Sequence, residues 1–139
     1  MNQTAIFWPM LAQVALIYGI YFLMFLRRKA AVEAGSVKIS DFRENRNEPP
    51  ESLFVRNNLA NQYELPVLFF AACLALYATQ GSNILTVALA WIFVLSRIVH
   101  AAIHVTSNRI RHRQPAFTLG FLVLLAMWIW FALHIAGLV

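Results

Sequence analysis

Acidic side chains are scarce in this chain: six Asp and Glu stand against eleven Lys and Arg, and charged residues make up only 12% of the 139 positions. Five of the acids fall in one polar segment, Arg27 to Ser52, and the sixth, Glu64, sits alone in an apolar run. Cysteine is rarer still. The single Cys73 excludes an intrachain disulfide and, set among apolar neighbours, reads as a small packing residue. The chain has no internal repeat and no low-complexity tract. It also has no glycine loop suited to cradling phosphate and no serine or cysteine nucleophile motif. His100 and His104 stand four apart without the intervening Glu of a metalloprotease helix, and no third ligand is evident, so no zinc site is expected. The net charge of +5 is not accompanied by an aromatic platform interleaved with basic residues, which argues against nucleic acid as a partner. No basic residue precedes the first apolar run. Its basic cluster, Arg27-Arg28-Lys29, follows it, the wrong order for a removable signal peptide.

What is present is hydrophobic length. Sixty per cent apolar residues and a mean hydropathy of +0.64 are too much for a soluble fold of this size. Four stretches approach the ~20 residues that a spanning helix needs. They predict an all-α integral membrane protein, one four-helix bundle over residues 1–139, with helices at about 4–26, 53–78, 84–107 and 116–138. Nine Lys and Arg lie in the segments 27–52 and 107–115, with Arg56 at their edge, whereas the termini and the Thr79 to Asn83 turn carry no charge. That asymmetry places loops 27–52 and 107–115 in the cytosol and both termini on the other side. The same basic residues would meet anionic lipid headgroups, and Arg109, Arg111 and Arg113 read first as solvated charges that set the topology. Gly81-Ser82-Asn83 makes a tight turn between helices two and three. Pro115 suits the first turn of helix four. Pro66 should bend helix two just beyond Glu64.

Within the spans Glu64 is the one acid and Arg97 the one base, and an ion at membrane depth requires a partner or a function. Asn57, Asn61 and Glu64 share one stripe of helix two, and Arg97, His100 and His104 share one of helix three. A helix continued past Ser107 would bring Asn108 and Arg111 near that second stripe. Glu64 and Arg97 each lie about ten residues, or ~15 Å, from the basic end, so they sit at one level and are expected to pair. The same antiparallel register sets Asn61 opposite His100 and Asn57 opposite His104. The result is a polar cleft open toward the cytosol. A lock between helices would use the same ion pair without binding anything.

The run Arg56-Asn57-Asn58-Leu59-Ala60-Asn61-Gln62-Tyr63-Glu64-Leu65-Pro66 resembles the second-helix signature of the MAPEG family, membrane-associated proteins in eicosanoid and glutathione metabolism. Arg27-Arg28 at the end of helix one supports the resemblance, as does Arg97-x-x-His100-x-x-x-His104, where family enzymes usually carry tyrosines in place of the histidines. The likeness extends over nearly the whole chain. It implies a homotrimer of four-helix subunits with glutathione, as cosubstrate, bound between neighbours. By that resemblance Arg27, Arg28, Arg56 and Arg97 would hold the carboxylates, Glu64 the ammonium group, and Asn57, Asn61, His100 and His104 would complete the substrate-binding set. Arg111 would take the place of the thiolate-stabilising arginine. A thiol is a poor nucleophile until a neighbouring cation favours its thiolate. Histidine in place of tyrosine keeps a hydrogen-bond donor and adds a candidate general base.

The resulting expectation is a glutathione-dependent membrane transferase or peroxidase acting on lipophilic electrophiles or lipid hydroperoxides that arrive from the bilayer. The alternative is a non-catalytic membrane protein that binds lipid or serves as a subunit of a larger complex, with the polar stripes as glue.

Overall fold

The computed structural model describes residues 2–44 and 46–139; Met1 and Asn45 lie outside the described residues. A short 3-10 turn, Gln3–Ile6, leads into α1 (Phe7–Glu33). A second 3-10 turn, Ile39–Arg43, precedes α2 (Pro50–Asn61) and α3 (Leu65–Ala78), and the chain ends with α4 (Ile84–Val105) and α5 (Ile110–Ile135). Taken with the 3-10 turn before α1 and with α2 and α3 end to end, these make four spans long and apolar enough to cross a membrane. This is a multi-pass, all-helical membrane protein.

Three element boundaries depart from the sequence pattern. α1 runs to Glu33, so Arg27, Arg28 and Lys29 lie inside the helix rather than beyond it. Pro66 does more than bend helix two: the chain breaks over Gln62, Tyr63 and Glu64, and Pro66 becomes the second residue of a new helix, where its missing N–H costs nothing. α5 begins at Ile110, so Pro115 stands within it instead of opening it. The turn before α4 follows its chemistry. Asn83 Oδ1 accepts from Thr86 N at 3.0 Å and Thr86 Oγ1 accepts from Asn83 N at 2.9 Å, a reciprocal cap. Gln3 clips the N-terminus to that turn, donating to the Ser82 carbonyl at 3.0 Å and accepting from Ser82 N at 3.1 Å.

The main apolar core gathers α3, α4 and α5, with Phe69 stacked on Phe93 at 4.5 Å between centroids and Cys73 buried beside them. A smaller cluster, Ile20, Val55 and Ala101, closes the other end. Between the two, on three of the four spans, lies a buried polar residue: Gln13 between Ile6 and Ile20, Gln62 between Val55 and Phe69, Arg97 between Val94 and Ala101. α4 packs most extensively on α5, and Gly120 sets their approach. A Cβ there would stand 2.6 Å from Ser96 Oγ. Small residues at such crossings let membrane helices gain the van der Waals contact that lipid exposure cannot supply.

At the basic end, Glu48 clamps the 34–49 segment onto α1. Arg28 donates to it through Nε at 2.9 Å and Nη2 at 2.7 Å, Ser52 Oγ donates to the same carboxylate, and the side chain is only 5% exposed. Burial alone would raise the Glu48 pKa. The hydrogen bonds from Arg28 and Ser52 and the charges of Arg28 and Arg56 outweigh it, and hold the carboxyl below its ordinary value of 4.5.

Gly120→Ala is expected to destabilise the bundle by about 1–3 kcal/mol through overpacking, and Ser96→Ala in the same chain to recover most of the loss, read as the unfolding midpoint in detergent. For the clamp, a depressed native pKa means stability that is present in full above pH 4.5 and lost as pH falls through the native value. The gap in unfolding temperature between wild type and Glu48→Gln should therefore be widest near neutral pH and close progressively as pH falls below 4.5. A gap that holds constant into acid would refute the assignment.

Candidate functional site

The break between α2 and α3 shapes the site. Its three residues are held by tight turns, with Tyr63 N on the Ala60 carbonyl at 3.1 Å and Glu64 N on the Asn61 carbonyl at 3.2 Å. Glu64 takes φ −97° and ψ −105°, outside helical geometry. Gln62 is thereby buried in the bundle while Glu64 turns outward and is exposed. The expected direct pair of Glu64 with Arg97 does not form. Among the described residues no ion pair includes either side chain. The break rotates Glu64 off the stripe, and Asn61 stands between: Arg97 Nη2 donates to Asn61 Oδ1, and Asn61 Nδ2 donates to Glu64 Oε2 at 3.1 Å. The two charged side chains are joined only through this one amide.

Arg97 is 0% exposed, yet its Nε and Nη1 have no acceptor among the described residues. Leaving a buried donor unmade costs about 1–3 kcal/mol, and more for a charged one, so a further acceptor at this guanidinium would be stabilising. Its partner Asn61, with Glu64, His100, His104, Arg113, Gln114 and Phe117, lines a cleft of about 230 Å³ between α2, α4 and α5, which Arg97 itself does not border. His100 meets His104 edge-to-face at 5.7 Å, and its Nδ1 is buried without a partner. Arg113 donates to Asn108 Oδ1 at the mouth.

Other expected residues fall elsewhere. Asn57 is exposed, and the residue opposite His104 is Asn58, fully buried, with Nδ2 3.1 Å from His104 Nδ1. The inward stripe of α2 runs Ser52, Val55, Asn58, Gln62 at spacings of three and four. Arg28 and Arg56 line a second cavity of about 340 Å³ between α1 and α2, and no residue borders both cavities. The Arg28 fork is already committed to Glu48, and Arg27 Nη1 donates to the Glu51 carbonyl at 3.3 Å. Helix continuation past Ser107 also fails: α4 ends at Val105, Asn108 takes a positive φ of 50°, and its N–H closes on the Ile103 carbonyl at 2.8 Å. The reversal leaves Arg111 exposed and outside the cleft, while Arg113 lines it.

Sequence reasoning passed over Gln13, Gln62 and Arg113. Gln13 is the only side-chain amide between Thr4 and Leu26, which is signal enough to have marked it. Its Nε2 donates to Gln62 Oε1 at 2.9 Å, and Gln62 Nε2 donates to Asn58 Oδ1 at 3.1 Å.

No curated protein and no solved structure matches the chain. The model of the MAPEG family matches residues 5–133, which takes in all four spans almost to the end of α5 and every residue of both cavities. With nearly the full length matched and four membrane helices in place, the chain belongs to the MAPEG family.

Proposed function

We propose that this protein is a glutathione-dependent membrane transferase or peroxidase acting on lipophilic electrophiles or lipid hydroperoxides. The observation that carries the reading is Arg97, buried, half-partnered and joined through Asn61 to a cleft that also displays a carboxylate and a second guanidinium. Glutathione brings two carboxylates, an ammonium group and a thiol. The free N–H groups of Arg97 suit a carboxylate, the exposed Glu64 suits the ammonium group, and Arg113 supplies the cation that favours thiolate. In this reading Arg113 takes the catalytic role for which resemblance put forward Arg111.

The cleft, at about 230 Å³, is smaller than the ~300–1,000 Å³ usual for a ligand pocket, and it is open on one side. The cavity holding Arg56 flanks the other side of α2. In a ring with head-to-tail contacts, one subunit's cleft faces its neighbour's opposite surface, so a homotrimer would bring the two half-sites together. An apolar groove of about 530 Å³ between α4 and α5, bordered by Ile92, Leu95, Val99 and Leu119, offers a lipid-side approach for a hydrophobic substrate. The basic end faces the cytosol, where it would meet glutathione and anionic headgroups.

The second reading, a non-catalytic protein binding lipid or serving as a subunit of a larger membrane complex, draws on a different observation. Asn61 already bridges Glu64 to Arg97, and Asn108 already holds Arg113, so part of the polar set is satisfied within one subunit.

Glutathione titrated into the purified protein separates the two. Thermal stabilisation should appear at millimolar ligand and reach about 2.7 kcal/mol at a hundredfold excess over Kd. Arg97→Met should abolish it. Arg113→Ala should retain most binding but lose thiolate absorbance by tenfold or more, while Arg111→Ala keeps both. Absence of any stabilisation in a folded protein would favour the second reading.

A further inference from the structure

Four buried side chains from three helices form one continuous hydrogen-bond line: Gln13 of α1, Gln62 at the helix break, Asn58 of α2 and His104 of α4, exposed by 0, 1, 0 and 7%. The links are 2.9, 3.1 and 3.1 Å. Each amide interior to the line offers one N–H to the next residue and one oxygen to the previous one, so the line is polar in the sense that all its bonds point the same way.

Two directions satisfy the three links. If every amide donates toward α4, His104 Nδ1 accepts, and the atom left over at the far end is the Gln13 oxygen. In the opposite sense His104 Nδ1 donates, and the leftover group is the Gln13 NH2, with two N–H bonds buried among apolar neighbours. A carbonyl left short is better tolerated than an amide nitrogen with both hydrogens unmade. The first direction is therefore favoured, and in it Gln13 Oε1 is the atom left without a partner among the described residues.

We infer that Gln13, Gln62 and Asn58 are positioning residues that lock His104 as the neutral Nε2–H tautomer, so that it presents a hydrogen-bond donor to the cleft. With Nδ1 occupied by Asn58 and Nε2 already carrying its proton, His104 has no lone pair free to take another. It serves as a donor to an anionic acceptor such as a thiolate, carboxylate or hydroperoxide oxygen, and the general-base role is closed to it. The assignment of an anionic acceptor rests on the proposed glutathione reading; the tautomer and its relay do not. Gln13 thus extends the site to α1, roughly a helix diameter from the cleft.

The full-length protein, labelled with 15N-histidine in detergent micelles, tests this by long-range proton–nitrogen correlation, with His104→Gln identifying the His104 signals. Expected in the wild type are a protonated, pyrrole-type Nε2 and an unprotonated, pyridine-type Nδ1 in a single slow form. Asn58→Asp places a carboxylate against Nδ1 and should move the proton there. Gln62→Met, nearly isosteric, should release Asn58 to turn and replace the single form by an average of both tautomers. A wild-type spectrum already averaged, or protonated at Nδ1, overturns the inference even if a variant fails to fold. A His104 spectrum unchanged by Gln62→Met removes the relay from it. Glutathione binding measured on the same samples keeps the outcomes apart, because a fixed Nε2–H tautomer without binding would sink the proposed function alone.

Discussion

Pro66 is the constraint on which the polar layer depends. A spanning helix satisfies every backbone N–H and C=O internally because lipid offers no partners, and a proline inside it forfeits one such bond and crowds the turn before it. Here the chain resolves the conflict by stopping α2 at Asn61 and restarting at Leu65, which leaves three residues outside either helix, the last of them, Glu64, out of helical geometry. Those residues, with Asn61 before them, then do what a straight helix would not permit. Gln62 enters the bundle, Glu64 leaves it, and Asn61 is left between the outward carboxylate and the inward guanidinium of Arg97. Irregular backbone at this depth is tolerated where it is buried in protein or lines a polar cavity, and this break does both.

Much of this was written plainly in the chain. Four spans follow from apolar length alone, and the turn at Gly81 to Asn83 from local chemistry that nothing in the tertiary structure contradicts. That the Glu64 and Arg97 neighbourhoods would meet was legible from counting rise per residue, and they do so through Asn61. What failed was angular detail near irregular backbone. Asn57 and Asn58 are identical neighbours, and only the packing of Ser52, Val55 and Gln62 decides which of them turns inward. Arg111 and Arg113 differ by two residues, about half a helical turn, so the reversal at Thr106 to Asn108 exchanges which one reaches the cleft. The Gln13 to Gln62 contact joins residues 49 apart, and no local pattern reports it.

The buried polar groups divide into two kinds by how far they are satisfied. Gln62 and Asn58 have both ends of their amides engaged, which is the condition under which a buried network rigidifies a structure. Arg97 does not reach that condition, with one amide acceptor for a guanidinium that carries five N–H groups. If the polar layer served only to hold helices together, the most expensive group in it would be the best partnered, because a charge in hydrocarbon loses more from an unmade bond than an amide does. The reverse distribution, with the amides of Gln62 and Asn58 closed and the cation open, is what the proposed binding layer, braced by a structural one, would require.

The brace also explains why the helices stay close where the cleft begins. α4 carries Ser96, Arg97, His100 and His104 on adjoining turns, so the face that meets α5 and the face that meets α2 lie on one rigid element. Gly120 brings α5 against Ser96, one residue from Arg97, and one and two turns earlier on the same helix Phe117 and Arg113 line the cleft beside the histidines. A side chain at position 120 would push α4 and α5 apart one residue from Arg97, where that cation is now fully buried. The packing of a glycine against a serine is thus part of what keeps the Arg97 cation out of lipid, one amide away from the cleft, and charge interactions around it are stronger for that exclusion.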